Sequence, residues 1–165
     1  MTSSETLDPK SGVRHLPLEG AYNIRDLGGY KTSEGRTTRW GQYLRSDTLA
    51  NLTQESANAL VEYGIRNIID LRRSTELQFN PSPFIGSEAV TYYHQNMSGD
   101  VPLDGRSALL EIEDQAERRG RVYCQILDQR KHILHQIFSI IAQPDGLPLL
   151  AHCNAGKDRA GIVAA

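Results

Sequence analysis

The chain has 165 residues, 39% of them hydrophobic and 23% charged, with a formal net charge of -2. That length suits one domain, the composition excludes wholesale disorder, and the charge gives no basis for a general nucleic-acid binder. Two cysteines, Cys124 and Cys153, are too few for a disulfide framework, so a reducing compartment with a free thiol is the simpler expectation.

Residues 1–12 are polar, lack the apolar core of a secretion signal and read as a solvated arm before a domain over residues 13–165. No run anywhere reaches the length of about 18 apolar residues that a membrane span needs; the expected location is the cytoplasm. Over residues 13–47, short apolar pieces are broken by Gly28-Gly29 and by the turn Ser33-Glu34-Gly35-Arg36, which predicts a small hairpin or meander. Thr53 caps a helix expected to run through Tyr63, with Ala57, Leu60 and Val61 on one face and Gly64 closing it. Residues 65–70 read as a buried strand and residues 89–94 as a second, followed by a loop holding Gly99, Pro102 and Gly105.

Helical sequence resumes near Ser107 and extends to about Gln143, with Gly120 the candidate break. Within it Val122, Ile126, Ile133, Ile137, Ile140 and Ile141 form one core-facing stripe. Pro144-Asp145-Gly146 ends that stretch, and residues 147–152 are nearly all apolar, as a central parallel strand would be. Strands alternating with helices predict an α/β sheet.

A cysteine six positions before an arginine occurs twice. Cys124 to Arg130 lies inside the helical stripe without a glycine, and a helix uses its own amides, so Cys124 reads as a core or boundary residue. Cys153 to Arg159 differs: an apolar strand delivers the thiol, Gly156 lies three residues on, and a helix begins near Asp158. Such a turn points successive N–H groups of Asn154, Ala155, Gly156, Lys157 and Asp158 into one concavity that suits an oxyanion, helped by the helix start. Arg159 can clamp two phosphate oxygens with its planar fork. The same surroundings favour a Cys153 thiolate, the nucleophilic form. His152 reads as a support for Cys153 through local backbone. His132 and His135 have no third ligand at useful spacing, so no metal is assigned.

His152-Cys153-Asn154-Ala155-Gly156-Lys157-Asp158-Arg159 resembles the loop of the atypical tyrosine and dual-specificity phosphatases, His-Cys-x-Ala-Gly-Lys-Asp-Arg-Thr-Gly. The likeness extends upstream to Tyr22-Asn23-Ile24-Arg25-Asp26-Leu27-Gly28-Gly29-Tyr30, to Leu44-Arg45-Ser46-Asp47 and to Gly64-Ile65 with Asp70-Leu71-Arg72. The resemblance implies a three-layer cysteine-phosphatase domain, a central, mostly parallel sheet flanked by helices. It implies hydrolysis of phosphotyrosine, with phosphoserine, phosphothreonine and phosphoinositides as further substrate classes, through a cysteinyl-phosphate and without metal or cofactor. On that carry-over Cys153 is the nucleophile and Arg159 the clamp. The general acid is open between Asp158, inside the loop, and Asp100 or Asp104 in the loop after the second strand. Asp70, Arg72, Arg25 and Asp26 are expected to hold strand ends.

Two departures stand out. Ala160 replaces the Thr or Ser whose hydroxyl serves the sulfur in the second step, which raises a rival reading, a pseudophosphatase that binds phosphate without turnover. The chain also stops at Ala165, where the family's continue, so Ile162 and Val163 are expected to lack cover, to be completed by self-association or a partner chain.

Overall fold

The computed structural model describes residues 7–101 and 103–165, the side chains of Arg106 and Ser107 excepted. Residues 1–6 of the expected arm, and Pro102 of the expected loop, lie outside that description; Pro9–Ser11 form one 3-10 turn capped by Asp8.

Five strands build one sheet in the order β1-β2-β5-β3-β4. Strand β1 (Arg25–Asp26) runs antiparallel to β2 (Tyr43–Ser46), whereas β2, β5 (Leu149–His152), β3 (Asn67–Asp70) and β4 (Thr91–His94) are mutually parallel. Strand β5 sits in the middle, and its last residue, His152, is level with Ser46 on one side and Asp70 on the other. The segment leaving β5 therefore emerges between two strand ends, the crevice where open parallel sheets bind ligands.

Period-two alternation distributes the sheet's apolar residues to both faces. Leu44, Ile68 and Leu150 pack on one face with Ala57 and Leu60 of α1 (Gln54–Tyr63), Ile24, Leu49 and Phe84. Ile69, Leu149 and Ala151 pack on the other with Ile126 of α4 (Gln115–Gln129), Ile137 and Ile140 of α5 (Lys131–Ile141), and Ala160 and Val163 of α6 (Arg159–Ala164). The result is the expected three-layer α/β domain. Ile68, Ile69, Leu149 and Leu150 are fully buried, and each such side chain contributes about 1.5–3 kcal/mol relative to exposure.

Helix α1 starts and stops where its sequence says: Thr53 Oγ1 accepts from the Ser56 N–H, and Gly64 takes φ 116°. The N-terminal meander is pinned by Asp26, whose buried carboxylate accepts from the N–H groups of Gly28 and Gly41, both at 2.6 Å, and from the Tyr63 hydroxyl at 2.6 Å.

Four expectations need correction. The helical stretch near residues 107–143 is three helices, α3 (Arg106–Leu109), α4 and α5. Gly120 does not break it; it lies in open space inside α4, where a glycine costs only about 1 kcal/mol of helix propensity. The breaks fall before Asp114, whose carboxylate accepts from the Glu117 N–H and caps α4, and at Arg130, at φ -117° and ψ 24°. Cys124 is exposed on α4 rather than core or boundary. Val163 is buried in the second apolar cluster and Ile162 half-buried, because α6 packs on β2 and β5 of the sheet. Helix α2 (Ser74–Phe79), just after β3, was not anticipated. Among the described residues no helix is long and apolar enough to cross a membrane.

Candidate active site

Beyond His152 the chain turns through Cys153 to Asp158 and enters α6. Three carbonyls at the start of the turn are bonded to its surroundings. The His152 oxygen accepts from the Leu71 N–H (2.8 Å), the Asn154 oxygen from the Thr48 N–H (3.0 Å), and the Ala155 oxygen from the Asn23 side-chain amide (2.9 Å). Asn23 is itself fixed, since the Asp47 carboxylate accepts from the N–H groups of Tyr22 and Asn23. By contrast, the N–H groups of Asn154, Ala155, Gly156, Lys157 and Asp158 meet no acceptor among the described residues. A loop with carbonyls tied outward at Asn154 and Ala155 and with successive open amides has the shape that suits an anion.

Gly156 makes this turn possible. It takes φ +66°, and a Cβ there would lie 2.5 Å from the Asp47 nitrogen and the Ser46 carbonyl carbon. Any side chain would be strained and would also collide with the end of β2. Cys153 sits at the base of the loop, 2% exposed, in the apolar cluster that holds Ala160.

Arg159 begins α6 and directs its guanidinium to the end of β3 and to α2. Its Nη1 donates to Glu76 Oε2 (2.6 Å) and, more weakly, to the Leu71 oxygen (3.4 Å), while Nη2 donates to Glu76 Oε1 (2.9 Å). Glu76 Oε2 also accepts from the Arg73 N–H at the start of α2 (2.9 Å). Hydrogen bonding from Arg159 holds the Glu76 carboxyl below its usual range. Burial opposes the charge on Arg159, but Glu76 outweighs it and holds that guanidinium's pKa up.

Behind the loop lies a buried polar group. Asp70 and Arg72 form a two-pronged ion pair, Nε to Oδ1 at 2.9 Å and Nη2 to Oδ2 at 2.6 Å, with both side chains at most 1% exposed. The Tyr92 hydroxyl donates to Asp70 Oδ2 at 2.6 Å, and Arg72 Nη1 reaches the Asn80 oxygen and Thr48 Oγ1. Burial alone would raise the Asp70 carboxyl, but the Arg72, His152 and Tyr92 contacts bring it down to about 2. The expectation that Asp70, Arg72 and Asp26 serve as structural ties agrees with these contacts. His152 is fully buried, with Nδ1 3.4 Å from the Cys153 oxygen and Nε2 3.5 Å from Asp70 Oδ2. The second approach is too long and misaligned to satisfy Nε2, which has no hydrogen-bond partner. Burial pushes His152 down to about 4, so it is neutral at neutral pH.

A cleft of about 1120 Å³ opens beside the loop and brings Asp158, Arg159, Glu76 and Asp100 together with Tyr123 and Arg119 of α4. Asp158 accepts a short hydrogen bond from the Tyr123 hydroxyl and lies 3.9 Å from Arg119 Nε. Burial and that bond push the Tyr123 phenol up to about 12. Asp100 is held by Asn96 Nδ2 (2.8 Å) and Ser74 Oγ (3.1 Å) on the same cleft. Asp104 lies outside it, its backbone bonded to Gln129. Lys157 is exposed. Sequence reasoning missed Glu76 and Tyr123. The first carries a weak local signal, an acid in the first turn of a helix after a strand end; the second has none, because its partner is 35 residues away.

A family model described as "Tyrosine phosphatase family" matches residues 16–165. A tyrosine-protein phosphatase of Nostoc commune is 32% identical over 123 residues, covering 74% of this chain and 40% of that protein. The triple specificity protein phosphatase PtpB of Mycobacterium tuberculosis is 29% identical over 179 residues, covering 93% of this chain and 62% of that protein. This chain thus spans less than two thirds of the length of either relative. The match takes in the cysteine loop, both strand ends that brace it and all five strands of the sheet, and the chain belongs to the tyrosine phosphatase family.

Proposed function

We propose that this chain is the catalytic domain of a cysteine-dependent phosphatase that hydrolyses phosphotyrosine monoesters, with phosphoserine, phosphothreonine and phosphoinositide esters as further substrate classes. One observation carries the reading: a strand-to-helix turn with open amides, carbonyls of Asn154 and Ala155 tied outward, a buried thiol at its base and the Arg159 guanidinium in the adjoining cleft. The amides and Arg159 would hold the phosphoryl oxygens, and their strongest interactions would fall on the charge that builds in the transition state. The Cys153 sulfur attacks phosphorus as the ester P–O bond breaks, and an acid protonates the departing oxygen. Water then attacks the cysteinyl-phosphate, gives its proton to the same carboxylate, and releases inorganic phosphate and the thiolate.

Asp158 is the acid in this reading, because it adjoins Arg159 in sequence and shares its cleft; Asp100 in the same cleft is the alternative. His152 supports the loop from behind, and Lys157 adds positive charge at its exposed edge. A working free thiol fits a cytoplasmic setting. Self-association belongs to the same reading, since Phe138 and Leu147 are exposed and line an apolar hollow with the end of α6; sedimentation that finds only monomer at high concentration would exclude it.

The experiment is turnover of phosphotyrosine, phosphoserine and phosphothreonine peptides and of phosphoinositide vesicles by the wild type beside Cys153→Ser and Arg159→Lys. Cys-dependent release on phosphotyrosine peptides is expected, with Arg159→Lys severely impaired. Tight phosphate binding with no Cys-dependent release would favour the pseudophosphatase reading that Ala160 raised.

A further inference from the structure

Arg159 does not stand alone in its cleft. Its end-on edge, Nη1 and Nη2, is occupied by both oxygens of Glu76, at 2.6 and 2.9 Å. A carboxylate on the clamp could do either of two opposite things: compete with phosphate for the guanidinium, or hold the guanidinium so that phosphate finds it in place.

Counting donors separates the two. A guanidinium has five N–H groups. Glu76 takes one from each Nη, and the Leu71 oxygen takes the second from Nη1. What remains is the Nε–H and the second Nη2–H. These two lie parallel on the lateral edge of the plane, and that pair suits two oxygens of one tetrahedral anion. The carboxylate and the anion therefore use different edges and need not exclude each other.

Glu76 is also immobilised for this task. Its Oε2 accepts the Arg73 N–H at the start of α2, and α2 follows β3, whose end is locked by the Asp70–Arg72 pair. The chain of contacts runs from the sheet through α2 to the end-on edge of Arg159. An arginine side chain left free there would lose rotamer freedom when phosphate ordered it; one already ordered does not.

The geometry points to Glu76 as a positioning residue, which presents the lateral edge of Arg159 to the phosphoryl group. This rests on the phosphatase reading and deepens it. Glu76 touches no reacting atom.

The test uses Glu76→Ala and the nearly isosteric Glu76→Gln, which guards against misfolding. For each, the inhibition constant of inorganic phosphate, kcat and KM on a phosphotyrosine peptide, and the melting temperature are measured. Glu76→Ala is expected to weaken phosphate at least about tenfold and to lower kcat/KM by as much or more, with Glu76→Gln intermediate. In an Arg159→Lys background the Glu76→Ala change is expected to add little, since the residue acts through that guanidinium. Phosphate binding unchanged or tightened in both variants would overturn the proposal, the second result marking Glu76 as a competitor. A purely structural role would lower the melting temperature and leave phosphate affinity alone, which also overturns it. A wild type that neither binds phosphate nor turns over would instead sink the phosphatase reading itself.

Discussion

His152 and Asp70 are register partners on adjacent parallel strands, both fully buried, with Nε2 and Oδ2 3.5 Å apart. Their titrations act on stability in the same direction. Above about pH 6.5 His152 is neutral in the folded and unfolded chain alike. Below that, the unfolded chain takes a proton that the folded chain refuses until about pH 4, so stability falls across that window. Asp70 repeats the pattern lower down, refusing its proton from the ordinary 3.8 to about 2. The melting temperature is therefore expected to decline between pH 6.5 and 4 by the equivalent of roughly 2–3 kcal/mol, and to decline again below pH 4. In His152→Gln the upper decline should largely vanish. Melting curves across that range check it, and an equal slope in wild type and variant would contradict it.

Gly156 is the residue with least freedom to change. Its φ of +66° and the 2.5 Å approach of the Ser46–Asp47 backbone to a built Cβ act together. Gly156→Ala is expected to destabilise the fold by about 1–3 kcal/mol and to weaken inorganic phosphate binding, because the loop can relieve the clash only by moving its amides. Calorimetry of binding and of unfolding would show both losses; retention of full phosphate affinity would contradict the role given to those amides.

Ala160 is fully buried in the cluster that contains Cys153. Restoring a threonine would add a hydroxyl for the sulfur, a hydrogen bond to a charged group being worth about 1.5–3 kcal/mol. It would also force new atoms into a filled site, at about 1–3 kcal/mol of stability. Ala160→Thr is expected to raise the steady rate relative to the burst with an aryl phosphate while lowering the melting temperature. Rapid-quench kinetics separate the two phases, and an unchanged ratio of burst to steady rate would show that the missing hydroxyl does not limit turnover.

The acid is identified by leaving-group dependence. If Asp158 protonates the departing oxygen, Asp158→Asn should lose about 10²–10⁴-fold on phosphotyrosine and much less on 4-nitrophenyl phosphate, which leaves without help. Asp100→Asn should leave that contrast absent and the rate on both substrates little changed. Tyr123→Phe removes the hydroxyl that holds Asp158 and is expected to cost less than Asp158→Asn while showing the same leaving-group contrast. The opposite assignment follows if Asp100→Asn, and not Asp158→Asn, shows the leaving-group effect.

Much of the loop and its supports was legible because the signals are local. Thr53 and Gly64 bound α1, the apolar run before His152 is the central strand, and Gly156 sits where a left-handed turn is required. What escaped is non-local or unmarked. Glu76 meets Arg159 across 83 residues and Tyr123 meets Asp158 across 35, so no window of sequence contains either pair. The break at Arg130 has neither glycine nor proline to announce it, and Gly120, which does look like a break, costs too little to make one. Cys124 is instructive in another way: its segment carries the apolar stripe, which suggested a core or boundary place, but two residues from Val122 its own side chain falls off that stripe and is exposed.

The central claim is that Cys153 carries the phosphoryl group. Mixing enzyme with an aryl phosphate, quenching in acid within the first turnover and mapping the labelled peptide by mass spectrometry tests this directly. One phosphoryl group is expected on the Cys153 side chain in the wild type, with neither label nor phosphate release in Cys153→Ser. Phosphate release that persists in Cys153→Ser, with no adduct at residue 153 in the wild type, would contradict the account.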